Sequence, residues 1–136
     1  MVEAAARGSC GTILVVEDDR DIRETLRDAL ELLGHAVAVA ADGREALSVL
    51  AAMERPCLIL LDLMMPIMSG PEFLNALRAD QARADIPVVI VSAWGAQATK
   101  FDAQGYLQKP VDLDELVRYA DRYCGAKSPT RAPTTN

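Results

Sequence analysis

The side chains able to do chemistry stand where apolar runs stop. Glu17, Asp18 and Asp19 follow the run Thr12–Val16, and Asp62 follows Cys57–Leu61. Ser92 follows Pro87–Val91, and Lys109 follows Gly105–Gln108. If the first and third runs are neighbouring strands of a parallel sheet, Glu17, Asp18 and Asp62 converge at one edge. Carboxylates held that close resist ionisation unless a cation neutralises them. Mg²⁺ fits, being hard, octahedral and satisfied by oxygen ligands and exchangeable water. A carboxylate beside such an ion can attack a phosphoryl group and form an acyl phosphate. The equatorial oxygens of the transferred group then need positive or hydrogen-bonding partners, which the Lys109 ammonium and the Ser92 hydroxyl can provide.

For these residues to meet, the runs must lie in one sheet. From Thr12 onward, short β-branched segments alternate with amphipathic stretches, the pattern of a parallel sheet covered by helices, in five strand–helix units. The expected strands are Thr12–Val16, His35–Ala40, Cys57–Leu61, Pro87–Val91 and Gly105–Gln108, most of them continuously apolar as strands buried on both faces are. In the first helix Ile22, Leu26, Ala29, Leu30 and Leu33 form one stripe, and Gly34 ends it. The second, about Gly43–Met53, buries Ala46, Val49, Leu50 and Met53. The third begins at Gly70-Pro71 and buries Phe73, Leu74 and Leu77. The last begins at Asp112, with Glu115 completing a capping box, buries Leu113, Leu116, Val117 and Ala120, and closes at Gly125. Ligands of such an open sheet bind at the carboxyl ends of the strands, where the strand order reverses.

Composition narrows the function classes. The 136 residues are 51% hydrophobic, enough for one compact domain, and the net charge of −6 disfavours a general nucleic-acid binder. Cys10, Cys57 and Cys124 are odd in number and widely spaced, and His35 is the only histidine, which argues against a disulfide scaffold and a Cys/His zinc site. The chain shows neither an apolar stretch of membrane-spanning length nor a signal peptide, so membrane insertion is not expected and a reducing cytoplasm is the expected location. Residues 1–11 read as a flexible leader, 12–125 as the domain and 126–136 as a disordered tail.

Four fragments, in order, resemble the receiver domain of two-component response regulators, and most closely its single-domain, chemotaxis-type members. They are Ile13-Leu14-Val15-Val16-Glu17-Asp18-Asp19, Leu61-Asp62-Leu63-Met64-Met65-Pro66-Ile67-Met68-Ser69-Gly70, Val91-Ser92-Ala93 and Tyr106-Leu107-Gln108-Lys109-Pro110. The resemblance implies a doubly wound, flavodoxin-like α/β fold with strand order 2-1-3-4-5. It implies that Asp62 accepts phosphate from a sensor histidine kinase or histidine phosphotransfer protein. Asp18 would be a direct Mg²⁺ ligand, Glu17 would assist through water, and Met64 would offer its backbone carbonyl. Ser92 takes the place of the switch hydroxyl, Tyr106 of the switch aromatic and Lys109 of the phosphate-contacting lysine, with a cis Lys109–Pro110 bond. Phosphorylation would then change binding to a downstream protein target, the domain catalysing only its own phosphorylation and dephosphorylation.

Two rivals stand beside this reading. A phosphorylation-independent pseudo-receiver would not need the complete acidic set. An aspartyl phosphatase needs a second carboxylate two residues after its nucleophile, where this chain has Met64. Met64 and Trp94, bulky and apolar beside Asp62 and Ser92, are expected to slow dephosphorylation, though Met64, Met65 and Met68 read most simply as packing residues. The chain also departs from the family: the interval from Ser92 to Lys109 is about five residues short, more than one turn at 3.6 residues per turn. The loss falls on the fourth helix, within Gly95–Gln104, which is therefore expected to be shortened or disordered, with any order there resting on packing of Phe101.

Overall fold

The computed structural model describes residues 11–93 and 101–125. The elements run β1 (Thr12–Val16), α1 (Arg20–Leu32), β2 (Ala36–Ala40), α2 (Gly43–Ala52), β3 (Leu58–Asp62), α3 (Gly70–Ala79), β4 (Val88–Ser92), β5 (Gly105–Gln108) and α4 (Leu113–Cys124). The five strands form one parallel sheet in the order β2-β1-β3-β4-β5. Val16 pairs with Leu61, Asp62 with Val91 and Ser92 with Gln108, so the carboxyl ends of β1, β3, β4 and β5 line one edge.

Alternation along the strands makes two cores. Leu14, Val16, Ile59, Leu61 and Ile90 face α2 and α3, meeting Leu50, Phe73 and Leu77; Ile13, Val15, Leu58, Leu60 and Val91 face α1 and α4, meeting Leu26, Leu30, Leu116 and Ala120. β3 and β4 are buried on both faces along their whole length, as their continuous apolar runs require. Both end one residue later than the sequence suggests, so Asp62 and Ser92 are the last residues of their strands.

Side-chain oxygens start each helix. Asp19 accepts from Ile22 N–H, Asp42 from Glu45 N–H and Asp112 from Asp114 N–H. The reciprocal box expected at Asp112 and Glu115 is found instead at Ser69 and Glu72. Gly34, at φ 96°, closes α1: its own N–H reaches Glu31 O and that of His35 reaches Leu30 O. The α1 stripe stops short of expectation. Leu33 is the C-cap and Leu113 opens α4, and both are exposed because a helix end rotates away from the layer its middle packs on.

Residues 1–10, 126–136 and 94–100 lie outside the described residues, and with them Trp94 and most of the expected short helix. Among the described residues no helix lies between β4 and β5. Phe101–Gln104 are non-helical, and Phe101 and Ala103 pack on the α2/α3 core. Arg78 of α3 ties this segment down, donating to the carbonyls of Ala84, Ile86 and Asp102 and to Gln104 Oε1.

One expectation is corrected. Cys57 and Cys124 are disulfide-bonded, with Cα atoms 5.4 Å apart. Sixty-seven positions of sequence separate them, but the start of β3 and the end of α4 are neighbours in the fold, and spacing along a chain says nothing of that proximity.

Candidate functional site

Three elements bring the acidic residues together. β1 ends at Val16 and turns into α1, which leaves Glu17 buried and Asp18 exposed; β3 delivers Asp62, 3% exposed, from the neighbouring strand. Ligand oxygens of Glu17, Asp18 and Asp62 lie within 4.8 Å of one another. The turn is locked on both sides: Asp19 N–H donates to Glu17 Oε2 at 3.0 Å, and the Arg23 guanidinium donates to the carbonyl of Glu17 at 2.9 Å and of Asp18 at 3.4 Å. Arg23 lies opposite the apolar stripe of α1 and is not among the residues singled out from the sequence. Its place on the first turn, one helical turn above the acidic loop, is the signal that it can reach back.

Lys109, just past β5, enters from the far side. Its Nζ stands 2.9 Å from Glu17 Oε1 and 3.4 Å from Asp62 Oδ1, and its backbone N–H donates to Ser92 O at 2.8 Å. The Lys109–Pro110 bond is cis. Ser92 is buried at the end of β4. Met64 donates its backbone N–H to Asp62 Oδ1 at 3.3 Å. Met64 is 61% exposed at the rim of a 300 Å³ cavity lined also by Glu17, Asp18, Asp62, Ser92 and Lys109. Of the three methionines expected to pack, Met65 and Met68 lie on the α2/α3 core, whereas Met64, in the loop beyond β3, is turned out to the rim.

Gly70 makes this corner. Its N–H donates to Leu63 O, and a Cβ there would meet Leu63 Cα at 2.7 Å and collide with the Asp62 carbonyl. Only glycine lets α3 start so close beneath the end of β3. Ile67 in the same loop holds φ 68°, a left-handed conformation uncommon for a β-branched residue.

Electrostatically the pocket is under-neutralised. Burial first, then the Glu17 charge and a hydrogen bond with Asp18, push the Asp62 pKa up to about 7, against the opposing pull of Lys109 and the Met64 N–H. Burial works against the Lys109 charge, but Glu17 and Asp62 outweigh it and hold its pKa above the ordinary lysine value. Among the described residues the carboxylates of Glu17, Asp18 and Asp62 face one ammonium, that of Lys109, which leaves room for a divalent cation, and the donors are all hard oxygens, so the residues present fit Mg²⁺.

Tyr106 sits on β5 with its ring against the α2/α3 core. Its N–H donates to Tyr119 Oη at 3.2 Å, and its own buried hydroxyl has no hydrogen-bond partner among the described residues. Gly105 is needed here because a Cβ would strike the Tyr119 ring.

A parallel sheet in the order 2-1-3-4-5 with acidic residues, a hydroxyl and a lysine at its carboxyl edge defines a class, the doubly wound, flavodoxin-like α/β domains with a polar site at the strand ends. Within that class, the pattern of the response regulator receiver domain matches residues 13–121, and the chain belongs to this family. The response regulator MprA of Mycolicibacterium vanbaalenii is 40% identical over 110 residues, 77% of this chain and 46% of that protein. The chain thus spans about half the length of the curated relatives it matches. Among solved structures, the receiver domain of Francisella response regulator 1452 superposes with TM-score 0.74 at 30% identity, covering 86% of this chain and 98% of that one. The receiver domain of a sensor histidine kinase from Pseudomonas aeruginosa, described with a magnesium ion coordinated in its active-site cleft, gives TM-score 0.76 at 28% identity over 85% and 98% of the two chains. No helix of the described residues is long and apolar enough to cross a membrane.

Proposed function

We propose that Asp62 is the phosphoacceptor of a switch loaded by a histidine kinase or histidine phosphotransfer protein. The observation that carries this is a buried aspartate at the end of β3, facing two carboxylates and one ammonium in an open cavity. Glu17, Asp18 and the Met64 carbonyl would hold Mg²⁺ together with Asp62. The ion supplies the positive charge that lets a negatively charged phosphoryl group approach these carboxylates.

Asp62 Oδ attacks phosphorus in line, the P–N bond to the donor imidazole breaks, and the electron pair leaves with that nitrogen, which takes up a proton. Lys109, already paired with Glu17 and Asp62, would transfer part of that pairing to the new phosphoryl oxygens, and Ser92 would donate a hydrogen bond to them. An apolar groove beside Lys109, lined by Ile22, Leu26, Val111 and Leu113, offers the donor protein a surface next to the cavity. Movement of Ser92 toward the phosphate frees the space beside β4 into which Tyr106 turns, and the face around β5 and α4 presents the change to a downstream protein.

The test is incubation with Mg²⁺ and a small phosphodonor, followed by intact-mass analysis. Wild type gains one acid-stable, base-labile phosphoryl group only when Mg²⁺ is present, and Asp62→Asn gains none. Equal labelling of the two proteins refutes the assignment. An unlabelled wild type that still binds Mg²⁺ points to a phosphorylation-independent interaction module.

A further inference from the structure

The Cys57–Cys124 bond joins two elements that matter to the switch at points where neither carries the site. Cys57 immediately precedes β3, whose last residue is Asp62, and Cys124 is the last residue of α4, the helix that carries Tyr119. The bond lies at the amino end of β3, so the acidic pocket at the carboxyl end is not touched by it. Cys124 is fully buried among the residues of the α1/α4 core, and Cys57 is half-buried against the same cluster.

That layer does not need the bond to form. Leu116 and Ala120 of α4 already pack in one buried cluster with Ile13, Val15, Leu58 and Leu60 of the sheet, and two thiols side by side are ordinary small apolar groups in such a place. What the bond changes is the last turn of α4. A terminal turn is otherwise the part of a helix that opens most readily, and here it would be held covalently to a central strand.

We propose that Cys57 and Cys124 form a reversible redox latch, closed by a peroxide and opened by a dithiol, that fixes the end of α4 to the start of β3. The half-buried Cys57 thiolate attacks a peroxide oxygen: an S–O bond forms, the O–O bond breaks, and the departing hydroxide is protonated to water. The Cys124 thiolate then attacks the Cys57 sulfur, an S–S bond forms, the S–O bond breaks, and a second water leaves. Two thiols and hydrogen peroxide thus become one disulfide and two waters. A dithiol reverses the change by exchange through a mixed disulfide, taking both oxidising equivalents.

The latch stands independently of phosphorylation, and so does its test. The full chain is reduced, exposed to hydrogen peroxide, unfolded in the presence of N-ethylmaleimide and weighed. The chain has three cysteines, so the reduced form takes up a maleimide at each, whereas the latched form takes up one, at Cys10, with peptide mapping joining Cys57 to Cys124. Dithiothreitol added to the folded protein restores full uptake. Closing a loop of this length raises the midpoint of thermal unfolding by about 10 °C, and amides in the last turn of α4 exchange more slowly. Cys10→Ser latches in the same way and then takes up no maleimide. Full uptake after peroxide, a bond or overoxidation involving Cys10 in place of the pair, a bond that dithiothreitol cannot open in the folded protein, or an unchanged midpoint would each overturn the latch.

Discussion

Lys109 Nζ lies closer to Glu17 Oε1, at 2.9 Å, than to Asp62 Oδ1, at 3.4 Å. The Lys109 ammonium, the one that lines the pocket among the described residues, therefore leans on the acidic loop and leaves Asp62 with the weaker contact. Removing that ammonium leaves two buried carboxylates without their cation and any incoming phosphoryl oxygen without a charged donor. Lys109→Ala is expected to be phosphorylated about 100-fold more slowly, the size of effect seen when one pre-placed donor is removed. Time-resolved intact-mass analysis at saturating Mg²⁺ reads this directly, and a rate within a factor of about two of wild type would remove Lys109 from the phosphoryl site.

The raised pKa of Asp62, about 7 against an ordinary 3.8, ties stability to pH. The folded metal-free protein keeps this proton over an interval in which the unfolded chain has lost it. The stabilisation is therefore complete below the unfolded value and is lost as pH rises through the folded one. Between about pH 5 and about pH 8 the metal-free protein should lose roughly 2 kcal/mol from this group, and Asp62→Asn should lose none of it. Denaturant unfolding in a chelator at the two pH values decides, and parallel behaviour of the two proteins contradicts the shift. Mg²⁺ affinity should rise with pH over the same interval, because proton and ion compete for one carboxylate.

Ile67 carries a positive φ and is 74% exposed. Strain of this kind costs about 1–3 kcal/mol, and little apolar burial is lost by replacing so exposed a residue. Ile67→Asn, whose side chain tolerates the left-handed region, should stabilise the protein by about 1 kcal/mol. A denaturation midpoint equal to or below wild type would show that the loop is not strained there.

Met64 stands exposed at the rim of the cavity, two residues beyond Asp62. If Asp62 carries an acyl phosphate as proposed, a water would reach it through that opening, and a thioether is a poor group to orient that water. Met64→Asn should shorten the lifetime of the phosphorylated protein by about tenfold, a modest share of what a positioned hydrogen bond to a reacting water contributes. The decay of the phosphorylated mass after removal of the donor measures it, and an unchanged half-life rejects the shielding role.

Arg78 donates to the carbonyls of Ala84, Ile86 and Asp102 and to Gln104, whose Oε1 also accepts the N–H of Val88. Arg78→Ala strands several acceptors at once and should cost about 2–3 kcal/mol, with faster amide exchange at Val88 and Gln104. Loss of stability without faster exchange at those two positions would mean that Arg78 does not anchor the approach to β5.

Read alone, the sequence specified whatever depends on local pattern. The alternation of apolar runs and amphipathic stretches placed all five strands, and the helix ends it assigned, within a residue or two, because burial on both faces and helical periodicity are written along the chain. Asp62 stood out because a lone carboxylate in an apolar stretch needs a partner, and the receiver motifs supplied the roles of its companions. Proximity was another matter. That Arg23 reaches back to Glu17, that Arg78 braces the approach to β5, that Tyr119 caps the edge at Tyr106, and that Cys57 meets Cys124 all depend on which helix ends lie over which strand ends. So did the exposure of Met64, Leu33 and Leu113, which one-dimensional periodicity assigned to packing. Hydrophobic pattern determines which face of an element is buried, but contacts between the ends of elements are decided only when the layers dock.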